Sequence, residues 1–251
     1  MKIFLYDDTF EGLLTSIYYS FYSKNPATSI YGRSESNMPL LLDEIIDITT
    51  EEDKFKKVRD AIIAKVDVLC LKKVYMVYLS NYEEKGMIIF KYLKVAFKLG
   101  KDTHSFLNID VIRLVDTINN RVSMESHRFK GFIRFNYIDG KFLYSSIEPD
   151  NDILELIGDH FKKRFSNEYF IIHDISREKA LVYNCVSYEI INMRISDYEK
   201  LSEHNDEYSD LWSCYFDSTT IVERINPKLQ ARMMPKRYWK HIFETQNESN
   251  K

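Results

Sequence analysis

The sequence is poor in glycine and proline, with 7 and 5 residues of these types in a chain of 251. Because flexible linkers are rich in glycine, serine or proline, this scarcity argues against long linkers and favours a helix-rich chain. The three cysteines, Cys70, Cys185 and Cys214, are widely spaced and contain no C-x-x-C pair. An odd, sparse set of this kind is typical of reduced thiols in a cytosolic protein and argues against a disulfide framework or a zinc cluster.

The sequence also lacks a dominant charge, a long apolar run and the common cofactor motifs. A net charge of −3 gives no overall attraction to nucleic acid or anionic lipid, so such binding must come from a local patch. No apolar run reaches the roughly 18 residues of a membrane span, and the N-terminus lacks the apolar core of a signal peptide. GxGxxG, P-loop and C-x3-C-x2-C motifs are absent. We therefore expect a cytoplasmic protein without membrane contact and without a resident cofactor.

The bulk composition is that of an ordinary globular protein. Hydrophobic residues make up 45% of the chain and charged residues 29%, with a high aromatic content of 14%. A chain of this length buries about three quarters of its unfolded surface. We expect a single domain over residues 1–251, with a helical subdomain over 50–124 as an option.

Hydrophobic spacing predicts a helical first half after one strand. We expect a strand at Lys2–Tyr6, a capping box at Asp8–Glu11, a helix at Phe10–Tyr22 and a polar loop at Pro26–Pro39. The apolar run Leu40–Ile48 fits either a strand or a helix. Further helices are predicted from Thr49 to about Val66, and at Cys70–Leu79, Glu84–Leu99 and Asp110–Met124.

The clearest strand signals lie between Glu125 and Tyr183. Alternating runs at Gly131–Ile138 and Lys141–Ile147 flank Asp139-Gly140, a strong hairpin signal because a type I′ turn needs φ > 0 at both central residues. The remaining predicted elements are a helix at Asn151–Phe165, strands at Tyr169–His173 and Lys179–Asn184, and helices at Glu207–Glu223 and Pro227–Phe243. The predicted fold class is α+β, an antiparallel sheet with an Asp-Gly hairpin packed against a large helical layer.

A change of charge near the C-terminus suggests a nucleic-acid contact. An acidic stretch over 196–210 is followed by a basic stretch over 224–241 that contains no Asp or Glu and is interleaved with aromatic residues. Such a run could bind a phosphodiester backbone and stack bases. The alternative is an ordinary amphipathic helix with Trp239 buried. Candidate nucleic-acid or phosphate contacts across the chain are Arg128, Arg134, Arg164, Arg177, Arg224, Gln230, Arg237 and Trp239.

Carboxylates and imidazoles in the same central region are candidates for acid–base chemistry. They occur at predicted element ends or beside an apolar stripe, where they could meet a cleft. The ordinary alternatives are helix-end stabilisation, an ion pair of Glu125 with Arg128, and a structural role for His160. No fixed ligand spacing supports a metal site made from Glu148, His160, His173 and Asp174, so no metal is predicted. The candidate catalytic residues are Glu125, His127, His160 and Asp174.

Several motifs together resemble one protein family. They are YDDTFEG (6–12), ESHRFKGFIRF (125–135), IEPDNDILELIGDHFKKRF (147–165), IIHDISR (171–177), LWSCYF (211–216), ERINPKLQ (223–230) and MPKRYWKHIFE (234–244). These segments are similar to the bacterial DNA-metabolism protein family, a domain of unknown function. Its members are typically encoded beside a radical-SAM protein, and some are fused to a uracil-DNA-glycosylase-like domain.

The resemblance implies an accessory protein in DNA repair or DNA metabolism that acts with a radical-SAM partner and contacts DNA through the basic C-terminal helix. Two other classes of function stay open at this point. One is a hydrolase or lyase with a His/Glu/Asp/Arg cleft, and the other is a scaffold that docks a partner without catalysis.

Overall fold

The computed structural model describes residues 2–23, 26–35, 44–138, 140–194, 196 and 226–242. Helices and strands are both abundant there, in an α+β fold. No helix in these ranges is both long enough and apolar enough to cross a bilayer. The chain divides into two compact units, residues 1–123 and 124–251, and the division falls within one helix. Its behaviour as a single domain, and a separate subdomain over 50–124, stay predictions.

The first unit contains a three-stranded parallel sheet. Its strands are β1 (Lys2–Tyr6), β2 (Ser29–Gly32) and β3 (Glu44–Asp47), in the order β2-β1-β3. The prediction of a polar loop over residues 26–39 is wrong for β2, which has only two apolar residues and forms by pairing with β1. Within the run Leu40–Ile48, which fits either a strand or a helix from its sequence, residues 44–47 form the strand β3.

Five helices accompany this sheet along the chain, and the first and fourth of them pack on it. They are α1 (Phe10–Tyr22), α2 (Glu52–Lys65), α3 (Val68–Leu79), α4 (Lys85–Leu99) and α5 (Asp110–Phe132), with a 3-10 helix at Gly100–Ser105 after α4. The N-cap of α1 is Thr9, whose hydroxyl accepts a hydrogen bond from the Gly12 amide at 2.9 Å. The predicted capping box began one residue too early. Asp8 instead has φ of 61° and accepts hydrogen bonds from Ser34.

Helix α5 continues past its predicted end at Met124 and ends at Phe132. Val122, Phe129 and Ile133 are buried and continue the helical spacing, so the alternating pattern after Gly131 was misleading. Glu125, His127 and Arg128 therefore lie inside a helix and not at its end. The predicted strand over 131–138 is reduced to β4 (Asn136–Ile138).

The second unit contains a five-stranded mixed sheet in the order β4-β5-β6-β7-β8. Its other strands are β5 (Phe142–Ile147), β6 (Phe170–Asp174), β7 (Lys179–Tyr183) and β8 (Tyr188–Asn192). Strands β5 and β6 are parallel, so the sheet is not wholly antiparallel as predicted. The helix α6 (Leu154–Arg164) connects them and returns the chain to the same end of the sheet. Gly140 has φ of 64°, but Asp139 lies outside the described residues, so the turn type stays a prediction.

The C-terminal helix is interrupted. It consists of α7 (Pro227–Met233) and a 3-10 helix at Lys236–His241. Pro235 explains the interruption, because proline lacks an amide hydrogen and disfavours helical geometry at the residue before it. The predicted helix over 207–223, together with Arg224, Cys214 and Phe243, lies outside the described residues.

Candidate functional site

Glu125 is a buried carboxylate in α5, with 6% of its surface exposed. Its Oε1 accepts hydrogen bonds from the Asp150 amide at 2.8 Å and the Tyr238 hydroxyl at 2.5 Å. Its Oε2 accepts from the amide of Asn151 at 2.9 Å and from the side chain of Asn151 at 2.5 Å. Because a carboxylate has about four acceptor positions, these four donors fill them. Glu125 thus anchors the 149–151 segment and the 3-10 helix to α5.

Arg237 and Tyr238 complete this anchor. The Tyr238 ring is buried, and its centroid lies 4.9 Å from that of Phe129 in an edge-on contact. Burial, together with the nearby Glu125 carboxylate, raises the pKa of Tyr238 well above its usual value. The Arg237 guanidinium lies 4.7 Å from the Tyr238 ring centroid and forms an ion pair with Asp150. This predicted DNA contact is therefore engaged with neighbouring protein groups.

Asp174 lies at the end of β6 and is completely buried. Its Oδ2 is 2.9 Å from Nη1 of Arg177, and the Arg177 guanidinium also donates to the carbonyl oxygens of Pro149 and Asp150. Burial raises the pKa of Asp174, and the Arg177 charge opposes that rise. In the 149–151 segment, Glu125 accepts hydrogen bonds from the backbone amides of residues 150 and 151, while Arg177 donates to the carbonyl oxygens of residues 149 and 150. The structure therefore brings Glu125 and the Asp174–Arg177 pair to the same segment.

The two candidate catalytic histidines lie elsewhere in the second unit. His127 is exposed on α5, and His160 is half-buried on α6 with its Nε2 atom buried and unbonded. Burial lowers the pKa of His160, and the charges of Lys130 and Arg164 lower it further. No hydrogen bond within the described ranges joins either histidine to Glu125 or Asp174. Within the residues that the structure describes, the four candidate catalytic residues do not form one hydrogen-bonded cluster.

The remaining predicted phosphate contacts differ in their exposure. Arg134 donates to the Gly131 carbonyl at 2.7 Å and so caps the end of α5. Arg164 is exposed, with its guanidinium 5.6 Å from the Phe165 ring centroid, whereas Arg128 is half-buried. These positions leave Arg164 as the most accessible of the three.

Trp239 is buried, and its indole nitrogen donates to the Met234 carbonyl at 2.8 Å. Its ring is therefore not an exposed platform for base stacking. Gln230 is half-buried on α7, and its backbone carbonyl accepts from the Met234 amide. Three further cations of this region, Lys228, Arg232 and Lys236, are exposed, and we call them the C-terminal basic surface.

A hydrogen-bonded serine and histidine beside a carboxylate were not predicted. The hydroxyl of Ser146 lies 2.9 Å from Nδ1 of His241, and Nε2 of that histidine lies 3.5 Å from a Glu148 oxygen. Burial lowers the pKa of His241, although Glu148 opposes this. A neutral imidazole here can accept the serine proton, and Glu148 can stabilise the resulting cation. Ser146 and His241 are 95 residues apart, so no local spacing could have indicated the contact.

Metal ligation finds little support in the described residues. No three His, Cys, Asp or Glu side chains there come together in a way that could hold a metal ion. His173, which the sequence offers as a possible metal ligand, is buried between the hydroxyl of Tyr144 at 2.9 Å and the carbonyl of Met193 at 3.1 Å. Both ring nitrogens of His173 are therefore occupied.

Comparison with known proteins gives a family but no activity. The model of a family described as DUF4130, a domain of unknown function, matches residues 83–244, which is more than half of the chain. The chain belongs to the DUF4130 family. No curated protein and no solved structure matches it. The DUF4130 match begins just before α4 and includes the Glu125 anchor, the Asp174–Arg177 pair and the C-terminal basic surface.

Proposed function

We propose that this DUF4130 protein is a cytoplasmic accessory factor in DNA repair or DNA metabolism. It binds the nucleic-acid backbone through the C-terminal basic surface and acts with a radical-SAM partner. The role in DNA metabolism and the partner are supported by the motif resemblance described above. The contact with nucleic acid is supported by the exposure and charge of Lys228, Arg232 and Lys236.

The main support for the proposal is a difference in ion pairing among the C-terminal cations. All five are exposed, but Arg237 and Lys240 form ion pairs with Asp150 and Glu148. Among the described residues no carboxylate pairs with Lys228, Arg232 or Lys236, although Lys236 lies 5.4 Å from the centroid of the Trp239 ring. Cations that release counterions from phosphates provide affinity without sequence preference. Since Trp239 is buried, we expect contact with the phosphates to dominate over base stacking at this surface.

Charge reversal of the basic surface tests the proposal. The variant carries Lys228→Glu, Arg232→Glu and Lys236→Glu, and its binding to single- and double-stranded DNA is measured by fluorescence anisotropy at several salt concentrations. We expect weaker binding, and a salt slope that is shallower by about 0.7 to 0.9 for each phosphate that the variant no longer neutralises.

The matched control reverses three exposed lysines of the first unit, with Lys94→Glu, Lys98→Glu and Lys101→Glu. It changes net charge equally and is expected to keep most of the affinity and the slope. Equal effects of both variants would contradict a specific role for the basic surface. Co-purification with the radical-SAM protein that the resemblance implies tests the partner separately.

The Ser146–His241–Glu148 arrangement favours a second candidate function, hydrolysis of an ester. The serine oxygen would attack the acyl carbon while His241 takes its proton, and that proton would pass to the departing alcohol. Water would then release the acid and restore Ser146. A fluorophosphonate probe should label Ser146 in the native protein, and His241→Gln should abolish labelling while Ser145→Ala preserves it. Absence of an adduct at Ser146 would indicate a purely structural hydrogen bond.

A non-catalytic docking scaffold stays a third prediction. Leu229 and Met233 are exposed one helical turn apart on α7 and would suit contact with a protein partner. Two of the three cations of the basic surface, Lys228 and Arg232, lie on the same helix, which makes nucleic acid our leading hypothesis.

A further inference from the structure

The first unit contains a groove of about 640 Å³ between α1 and the strands β1 and β3. This volume is within the usual range of sites for small molecules, roughly 300 to 1,000 Å³. Phe4 and Ile46 contribute apolar surface from the two strands, and α1 contributes three tyrosines. Other lining residues are Lys2, Ser23, Asp47, Ile48, Thr49 and Glu51.

The tyrosines form an aromatic surface along one side of α1. Tyr18 and Tyr22 are four residues apart, with ring centroids separated by 4.5 Å and planes inclined at 33°. Tyr22 is 75% exposed, which places a flat aromatic face at the mouth of the groove. A planar ligand can stack on the exposed face of this ring.

Lysines accompany this aromatic surface. Lys54 lies with Nζ 4.2 Å from the Tyr19 ring centroid, and Lys57 lies with Nζ 5.9 Å from the Tyr18 centroid. The two acids of the lining have cationic partners. Glu51 pairs with Lys54 at 2.7 Å, and Asp47 pairs with Arg33 at 3.2 Å.

The pairing of these acids leaves the positive charges of Lys57 and Lys2 to complement an anion. An exposed aromatic face with adjacent cations is the combination that binds single-stranded nucleic acid. Bases in a duplex are stacked on one another and are not available to such a face, whereas an unpaired base is.

We infer that this groove binds an unpaired base of single-stranded nucleic acid. The base stacks on Tyr22, and Lys57 contacts a neighbouring phosphate. This inference rests on the proposed function, to which it adds recognition of single strands. It also adds a second contact, because the C-terminal basic surface lies in the other unit.

The test compares Tyr22→Ala with Tyr22→Phe, which keeps the ring. Anisotropy is measured with a fluorescent 12-mer of thymidylate and with a 12-base-pair duplex. Loss of one stacked base is expected to weaken 12-mer binding roughly 5- to 150-fold, without a change in the salt slope. Tyr22→Phe should bind like the wild type, and duplex binding should be unchanged in both variants. Because Tyr22 is largely exposed, both variants are expected to fold, which circular dichroism checks.

Tyr169→Ala, which removes a tyrosine that is 56% exposed in the second unit, is the matched control and should not affect binding. Lys57→Gln should reduce the single-strand salt slope by about 0.7. Unchanged 12-mer binding by Tyr22→Ala would overturn the inference. So would binding of the free mononucleotide as tightly as the 12-mer, since the groove would then be a mononucleotide site.

Failure of this inference can be told apart from failure of the proposed function. If Tyr22→Ala weakens 12-mer binding while charge reversal at residues 228, 232 and 236 has no effect, the result supports binding in the groove and rejects binding at the C-terminal basic surface. The opposite result would reject the groove and retain the surface.

Discussion

At the scale of single residues, Glu125 joins parts of the chain that are far apart in sequence. Its donors lie 25, 26 and 113 residues away, and two of them are backbone amides of the 149–151 segment. A buried donor that loses its acceptor costs about 1 to 3 kcal/mol. The carboxylate is therefore important for stability whether or not it also takes part in chemistry.

Glu125→Gln is predicted to destabilise the protein. The substitution replaces one acceptor oxygen by an amide donor that faces two existing donors. We expect the free energy of unfolding to fall by about 2 kcal/mol or more, measured by urea denaturation.

His127→Gln on the same helix is the control. Its free energy of unfolding should lie within about 0.5 kcal/mol of the wild-type value, because His127 is exposed. If the Glu125→Gln protein instead kept wild-type stability but lost its activity, the result would favour the catalytic role predicted from the sequence.

His241 gives a prediction about pH. Burial lowers its pKa, so the unfolded chain binds more protons than the folded protein below the ordinary histidine pKa of about 6.5. The contribution of the neutral His241 to the free energy of unfolding is therefore complete above that pH, and it is lost as the pH decreases through that value. Urea denaturation at pH 7.5 and 5.5 should show this loss, and it should be smaller in His241→Asn.

Other titrating groups, among them His160 with its lowered pKa, are common to both proteins and cancel in the comparison. An identical loss of stability in the wild type and the variant would show that His241 does not titrate in this window.

At the scale of elements, the first unit depends on close approach of α4 to β2. A Cβ atom on Gly86 would lie 2.6 Å from the carbonyl oxygen of Ile30 and 2.8 Å from its Cβ. Neither of these atoms can rotate away. Gly86 therefore has a specific packing role, because a residue with a Cβ atom does not fit this contact.

Gly86→Ala is predicted to destabilise the protein by about 1 to 3 kcal/mol, because overpacking outweighs the gain in helix propensity. Gly131→Ala provides the control, since apart from its chain neighbours and the backbone of its own helix no described atom lies within 4 Å of the added methyl group. That change should be neutral or stabilising by up to about 1 kcal/mol. Equal effects of the two substitutions in thermal denaturation would contradict the packing argument.

The sequence predicted elements well where apolar spacing was long and regular, as for α1, α3 and α4. It was less informative where pairing or packing determines structure. Strand β2 has too few apolar residues to stand out, and α5 continues through a segment whose pattern also fits a strand. The parallel pairing of β5 with β6 depends on the path of the chain through α6, which local periodicity does not encode.

The same limit applies to the candidate sites. Glu125, Asp174 and Arg177 stand out in the sequence as charged residues near the ends of apolar runs, but their convergence on the 149–151 segment depends on tertiary contacts. The Ser146–His241 contact and the tyrosine groove had no motif to indicate them. Only the i,i+4 spacing of Tyr18 and Tyr22 could have suggested the groove.

At the scale of the whole molecule, the DUF4130 match and the compact units have different boundaries. The match begins at residue 83, whereas the division of the structure falls after Ser123. Helix α4 lies inside the match, yet it packs on β2 and α1, which lie outside it. The Phe90 ring, for example, lies 5.1 Å from that of Phe21.

A fragment limited to residues 83–244 is therefore predicted to fold poorly. It would expose the buried residues Ile89, Leu93 and Ala96 of α4. We expect reduced solubility, binding of a hydrophobic dye and a less cooperative thermal transition than in the full chain. A sharp transition with full helical content would show that the matched segment folds without the N-terminal sheet.

The parallel arrangement of β1 has a consequence for the chain as it is made. This strand leaves the ribosome before both of its partners, which begin at Ser29 and Glu44, and parallel neighbours cannot close through a tight turn. At roughly 5 to 20 residues per second, an apolar strand waits about 2 to 8 seconds before both edges are covered. In this interval, until β3 has emerged, the nascent β1 strand is exposed to aggregation and to chaperone binding.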